Sequence, residues 1–166
     1  MESLTLEQTY YFAEIIGVVI VIMSLIYVGK QISQNNRSQR MAAVQSHNDT
    51  YRQNLSLIAD HTETWIAGLK GYSDLDAPRK VEFGMVIQAL IRHIEQSYFM
   101  VREGVLEENT YLSALSNASN VLSYPGAREW WLTRREFFDL GFIESLESYM
   151  KKIETKDIYQ IIETQE

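Results

Sequence analysis

The chain has 166 residues, no cysteine and a formal net charge of −7. An acidic chain is a poor partner for nucleic acid, whose binding rests on neutralising phosphates, and for broad contact with anionic lipid. Without cysteine there is no disulfide framework and no thiolate metal site.

The chain opens on a short acidic tail, 1–9. Tyr10–Gly29 (YYFAEIIGVVIVIMSLIYVG) then carries a single charge, Glu14. A helix of that length spans about 30 Å, the thickness of a bilayer's hydrocarbon core. Apolar residues Ile15, Ile16, Val18, Val19, Ile20, Val21, Ile22 and Met23 cover every face, as in a membrane span rather than an amphipathic helix. Tyr10 and Tyr11 before the run, and Tyr27 and Lys30 at its end, suit the two membrane interfaces. The alternative is a buried helix of a soluble protein, since the strictly uncharged run is short. No Lys or Arg precedes Lys30, whereas Lys30, Arg37 and Arg40 follow closely. The positive-inside rule then puts the N-terminus outside and the rest in the cytoplasm. Gly17, Ser24 and Gln31 fall near one face, a weak signal for close helix approach between copies.

After a polar and basic exit segment, 30–40, no Gly or Pro occurs before Gly68. Met41, Val44, Asn48, Tyr51, Leu55, Ile58, Thr62, Trp65 and Leu69 repeat at 3,4 spacing, so one continuous helix is expected to run to the Gly68–Gly71 break. Its seam, with Val44, Tyr51 and Ile58, reads either as a self-association surface or as packing inside the domain.

Asp76 and Pro78 signal the start of a second helix, Ala77 to Glu103, closed by Gly104. A third is expected over Glu107–Leu122. The Tyr124-Pro125-Gly126 break precedes a fourth, Ala127–Phe138, dense in aromatics. Asp139 is placed to cap a fifth, through Met150 and Ile153. The tail 154–166 reads as a frayed helix or as disordered.

The expected fold is therefore all-α. One N-terminal transmembrane helix continues into a small cytoplasmic bundle of about four to five helices, residues 41–153.

No glycine-rich phosphate loop, nucleophile elbow or metal-ligand spacing is present, and no catalytic residue, metal or cofactor is assigned. His47, His61 and His93 read as surface or capping residues. Glu95 lies between Ile94 and Tyr98 on an apolar face, so it is expected to be buried with a cation. Arg102 and Arg128 are the candidates. Trp130 and Trp131 read first as core and second as an aromatic binding surface.

Three stretches taken together resemble a widespread family of uncharacterised bacterial single-pass membrane proteins. They are Ser24–Val28 running into Gln31–Arg37 and Arg40, then Glu95-Gln96-Ser97-Tyr98 with Arg102-Glu103-Gly104, and Pro125–Trp131 with Arg135 and Phe138. Gln96 stands where that family commonly has Asn, and Asp139-Leu140 where it has Ser-Pro. The resemblance implies topology and a location in the bacterial inner membrane, with no activity attached.

The leading expectation is a membrane-anchored module that interacts with itself or with another protein, without catalysis. The expected partners are the lipid bilayer and a second copy or another protein. The alternatives are a tethered ligand sensor or enzyme around Glu95, Arg102 and Arg128, or a small oligomeric channel.

Overall fold

The computed structural model describes residues 6–152 together with 154, 158, 159 and 161, with side chains from Tyr10 onward. Among them every regular element is helical. Six α-helices follow in order: α1 (Leu6–Asp60), α2 (Thr62–Lys70), α3 (Ala77–Arg102), α4 (Glu108–Val121), α5 (Pro125–Arg134) and α6 (Leu140–Met150). A 3-10 turn, Arg135–Phe137, stands between α5 and α6. The chain divides into two compact units, Met1–Ala42 and Ala43–Glu166.

Among the described residues the first unit is the N-terminal part of α1. Every side chain from Tyr10 to Ala42 is exposed. Ser24 donates from Oγ to the Ile20 carbonyl at 2.8 Å, which satisfies its hydroxyl within the helix. Among the described residues α1 is the one helix long and apolar enough to cross a membrane, and none of its apolar window is buried.

The second unit holds the core. It is built from Trp65 and Leu69 of α2; Phe83, Ile87 and Ile91 of α3; Leu115 of α4; Trp130 and Trp131 of α5; and Phe142 and Leu146 of α6. In α2, α3 and α6 these positions fall four residues apart, so each of those helices contributes one apolar stripe to a common interior.

The helix boundaries follow from short-range chemistry. Asp76 accepts from Arg79 N at 2.9 Å and caps α3, with a proline in the first turn. Asp139 accepts from Phe142 N at 3.1 Å and caps α6 in the same way. Gly104 follows the end of α3 at φ +65°, the left-handed geometry that favours glycine.

Three boundaries differ from the sequence expectation. The helix leaving the first unit ends at Asp60 and not at Gly68, and His61 separates it from α2. Thr62 donates from Oγ1 to the carbonyls of Ala59 (2.7 Å) and Ile58 (3.3 Å), a local bond that competes with the helix ladder. Gly68 lies inside α2, buried, and Gly71 forms its C-cap in extended backbone. The fourth expected helix begins two residues early, because Pro125 occupies its first turn, and it stops at Arg134. Phe137 is consequently exposed, while Phe138 enters the core.

Gly126 explains why α5 starts where it does. A Cβ there would stand 1.9 Å from the Gly68 carbonyl oxygen and 2.5 Å from Tyr72 N. The first turn of α5 thus packs backbone against backbone on the end of α2, an approach only glycine permits.

Most of the tail from Glu154, with Ile153 before it, lies outside the described residues. Tyr159 donates its backbone N–H to Tyr124 Oη at 2.9 Å, its ring packs edge-on to Trp65, and Ile161 is half-buried against the core.

Candidate functional site

Glu95 projects from the buried face of α3 and is 6% exposed. Its cation is Arg92, one turn earlier, with Nη1 2.6 Å from Oε2. Its other oxygen accepts from Asp139 N at 2.7 Å. Arg92 also donates from Nη2 to the Phe137 carbonyl at 2.7 Å and lies 4.2 Å from the centroid of the Phe138 ring. The expectation of Arg102 or Arg128 as partner is therefore corrected. Residues 137–139 supply a carbonyl and an N–H that suit an Arg–Glu pair side by side on α3. Arg102, in the last turn of α3, is exposed and stacks over Tyr98 at 5.5 Å. Arg128 is exposed and reaches Met150 Sδ at 3.8 Å. The group joins α3 to the start of α6 with both carboxylate oxygens occupied, which is the form of a structural clamp.

The tryptophans belong to the interior. Trp130 and Trp131 are 1% and 0% exposed. Trp131 donates from Nε1 to Glu147 Oε1 at 3.1 Å, which also accepts from Arg135 at 3.0 Å. Burial pushes the Glu147 carboxyl up, but these two bonds, with the charges of Arg135 and Arg128, hold the group below the ordinary carboxylate range.

The remaining candidates are dispersed. Tyr10, Tyr11, Gly17, Ser24, Tyr27, Lys30 and Gln31 all lie exposed on α1. Val44 and Ile58 are half-buried, and Ile58 packs against the core of its own domain. Tyr51 keeps an exposed edge but stacks on His93, with ring centroids 5.8 Å apart.

The histidines depart most from the sequence reading. His47 of α1 and His93 of α3 are 6% and 5% exposed, not surface residues, and their rings stack at 4.0 Å. His47 Nε2 lies 3.2 Å from Ser97 Oγ, and Ser97 donates to the His93 carbonyl at 3.1 Å. The Nδ1 atoms of both rings are buried without a partner. Burial lowers the pKa of His47; burial, then the charge of His47, lowers that of His93 to about 4. Both rings are therefore neutral near pH 7. His61 is half-buried and pairs with Glu82 through Nδ1 at 2.5 Å. The Thr64 hydroxyl first, then His61, holds the Glu82 carboxyl below its ordinary value against the upward pull of desolvation.

The stacked pair forms one wall of a partly open cavity of about 480 Å³ between α1, α3 and α4. Asn48 and Tyr51 of α1, Ile94 of α3 and Asn117 of α4 complete much of the lining, and no Lys, Arg, Asp or Glu contributes. Such a volume is typical of small-molecule sites. One sequence signal pointed here. His93 falls one turn from Leu90, on the apolar side of α3, so its burial was readable. Its contact with His47, 46 positions earlier, was not. No group of three or more potential metal ligands occurs among the described residues.

These features define an all-helical protein with one long, exposed, apolar N-terminal helix. No protein-family model, curated protein or solved structure matches the chain.

Proposed function

We propose that this protein is a single-span membrane protein of the bacterial cytoplasmic membrane. Residues 10–29 form the anchor, the N-terminus faces out, and the helical domain is a cytoplasmic bundle used for binding or self-assembly rather than catalysis. The observation that carries this reading is the exposure of Tyr10 to Gly29 on every face of α1. A run of Ile, Val, Leu and Met in water would expose far more contiguous apolar surface than soluble monomers do. A core helix would have its window buried, and here none of it is. Lys30, Arg37 and Arg40 give the orientation by the positive-inside rule.

The non-catalytic part of the reading is supported by the Glu95 clamp. Its carboxylate accepts from Arg92 and Asp139 N, which leaves the polar group most suggestive of chemistry engaged in holding the fold. The test is carbonate extraction of membranes from cells producing the full chain, with alkaline phosphatase or a fluorescent protein fused at Glu166. The expected result is retention in the membrane, an inactive phosphatase and a fluorescent reporter. Release by carbonate would overturn the anchor, and an active phosphatase would overturn the orientation.

A further inference from the structure

Four ring nitrogens meet in the His47–His93 stack, and hydrogen-bond accounting assigns their protons. The Ser97 hydroxyl has one hydrogen, which it donates to the His93 carbonyl. Both contacts of this hydroxyl are satisfied together only if it accepts from His47 Nε2–H, an arrangement that leaves His47 Nδ1 a bare lone pair. His93 Nδ1 is likewise buried and unpartnered. A buried, orphaned N–H is rarer than an under-used acceptor, which places the His93 proton on Nε2. That nitrogen alone of the four is neither paired nor fully buried, and His93 lines the cavity. The cavity therefore contains a donor, on a side chain 5% exposed and fixed by stacking on both His47 and Tyr51, with no hydrogen-bond partner among the described residues.

The rest of the lining narrows what could accept. Leu90, Ile94 and Ala114 offer apolar surface, and the amides of Asn48 and Asn117 flank it. A charged ligand would lose its hydration with no counter-charge in the lining, a cost of several kcal/mol. We propose that this cavity is a binding site for a small uncharged molecule with an apolar, ring-sized body and a carbonyl-type acceptor, held by His93 Nε2. This assignment goes beyond membrane anchoring and does not depend on it, because every residue of the site belongs to the Ala43–Glu166 unit.

The test uses three probes of nearly equal shape on the full chain in detergent solution, labelled with nitrogen-15. Acetophenone is uncharged with an acceptor, cumene is uncharged without one, and benzoate is charged. Acetophenone is expected to move the His93 Nε2 resonance saturably. Cumene is expected to bind about tenfold more weakly, a difference of about 1.4 kcal/mol, and benzoate to leave the resonance unmoved. His93→Phe keeps an aromatic ring in the stack and removes the donor, so its affinity for acetophenone, read from the Ala114 backbone amide resonance, should fall about tenfold. Should that variant fail to fold, Ala114→Phe fills the cavity from its half-buried wall and should abolish the response. The proposal is overturned by an unmoved His93 resonance at saturating acetophenone, by benzoate binding equal to it, or by undiminished binding in these variants. Each result is read in detergent, whether or not residues 10–29 cross a bilayer, so failure here is distinct from failure of the anchor.

Discussion

The imidazole of His47 lies against that of His93 with ring centroids 4.0 Å apart and planes 17° from parallel. Two cationic rings at this distance would repel, and neither has a carboxylate beside it among the described contacts. The fold therefore favours the neutral pair. In the native state His93 takes up a proton near pH 4, whereas an unfolded imidazole does so near 6.5. Between those values the unfolded chain binds more protons, so stability falls as pH falls from about 6.5 to about 4 and is insensitive to this group below. The loss should be about 3 kcal/mol. All three tryptophans lie in the helical domain, so intrinsic fluorescence during urea unfolding at pH 7 and pH 4.5 reads it directly. His93→Phe should remove most of the difference; an unchanged difference would mean that other groups carry it.

The Arg92–Glu95 clamp predicts an asymmetric mutational response. Arg92→Ala leaves a buried carboxylate with one backbone N–H and should cost about 3 kcal/mol. Glu95→Ala frees a half-exposed guanidinium and orphans Asp139 N, and should cost about 2 kcal/mol. The double variant should lose less than the sum, because the residues touch. Arg128→Ala, on the exposed side of α5, should shift the melting temperature little. A large effect from Arg128 and none from Arg92 would reverse the assignment.

Gly126→Ala should be among the most damaging substitutions in the domain. Its methyl group would meet the Gly68 carbonyl oxygen at 1.9 Å, and backbone cannot rotate away as a side chain could. Separating α5 from α2 should cost about 3 kcal/mol. Gly84→Ala, where the nearest foreign atom is 3.5 Å away, provides the control and should be tolerated.

The 3,4 seam of α1 separates into two sets. Ile58 packs on its own core, so Ile58→Glu should destabilise the domain. Met41 and Leu55 are 64% and 46% exposed, so Met41→Glu with Leu55→Glu should leave folding intact. If the seam joins copies of the chain, this pair should shift the detergent-solubilised protein toward monomer by analytical ultracentrifugation. An unchanged distribution would remove the seam as an interface.

The sequence by itself determined what depends on near neighbours. The apolar run of α1, the caps at Asp76 and Asp139, the turn at Gly104 and the apolar stripes of α3 and α6 all arise within a few residues. Their causes, capping bonds, backbone sterics and 3.6-residue periodicity, act at that range. Glu95 was legible as a carboxylate on an apolar face. The tertiary structure decided its partner, because Arg92 is favoured by what the Phe137 carbonyl and the Asp139 N–H offer from another element. It also decided that Gly126, read from the sequence only as part of a break, is a close backbone contact, since the constraint comes from Gly68 on a different helix. The histidine pair was decided entirely at this level. His47 and His93 lie 46 positions apart on two helices, and only the packing of α1 on α3 stacks their rings beside the cavity. Such contacts are fixed by several faces being buried at once, and no single stretch of sequence encodes that condition.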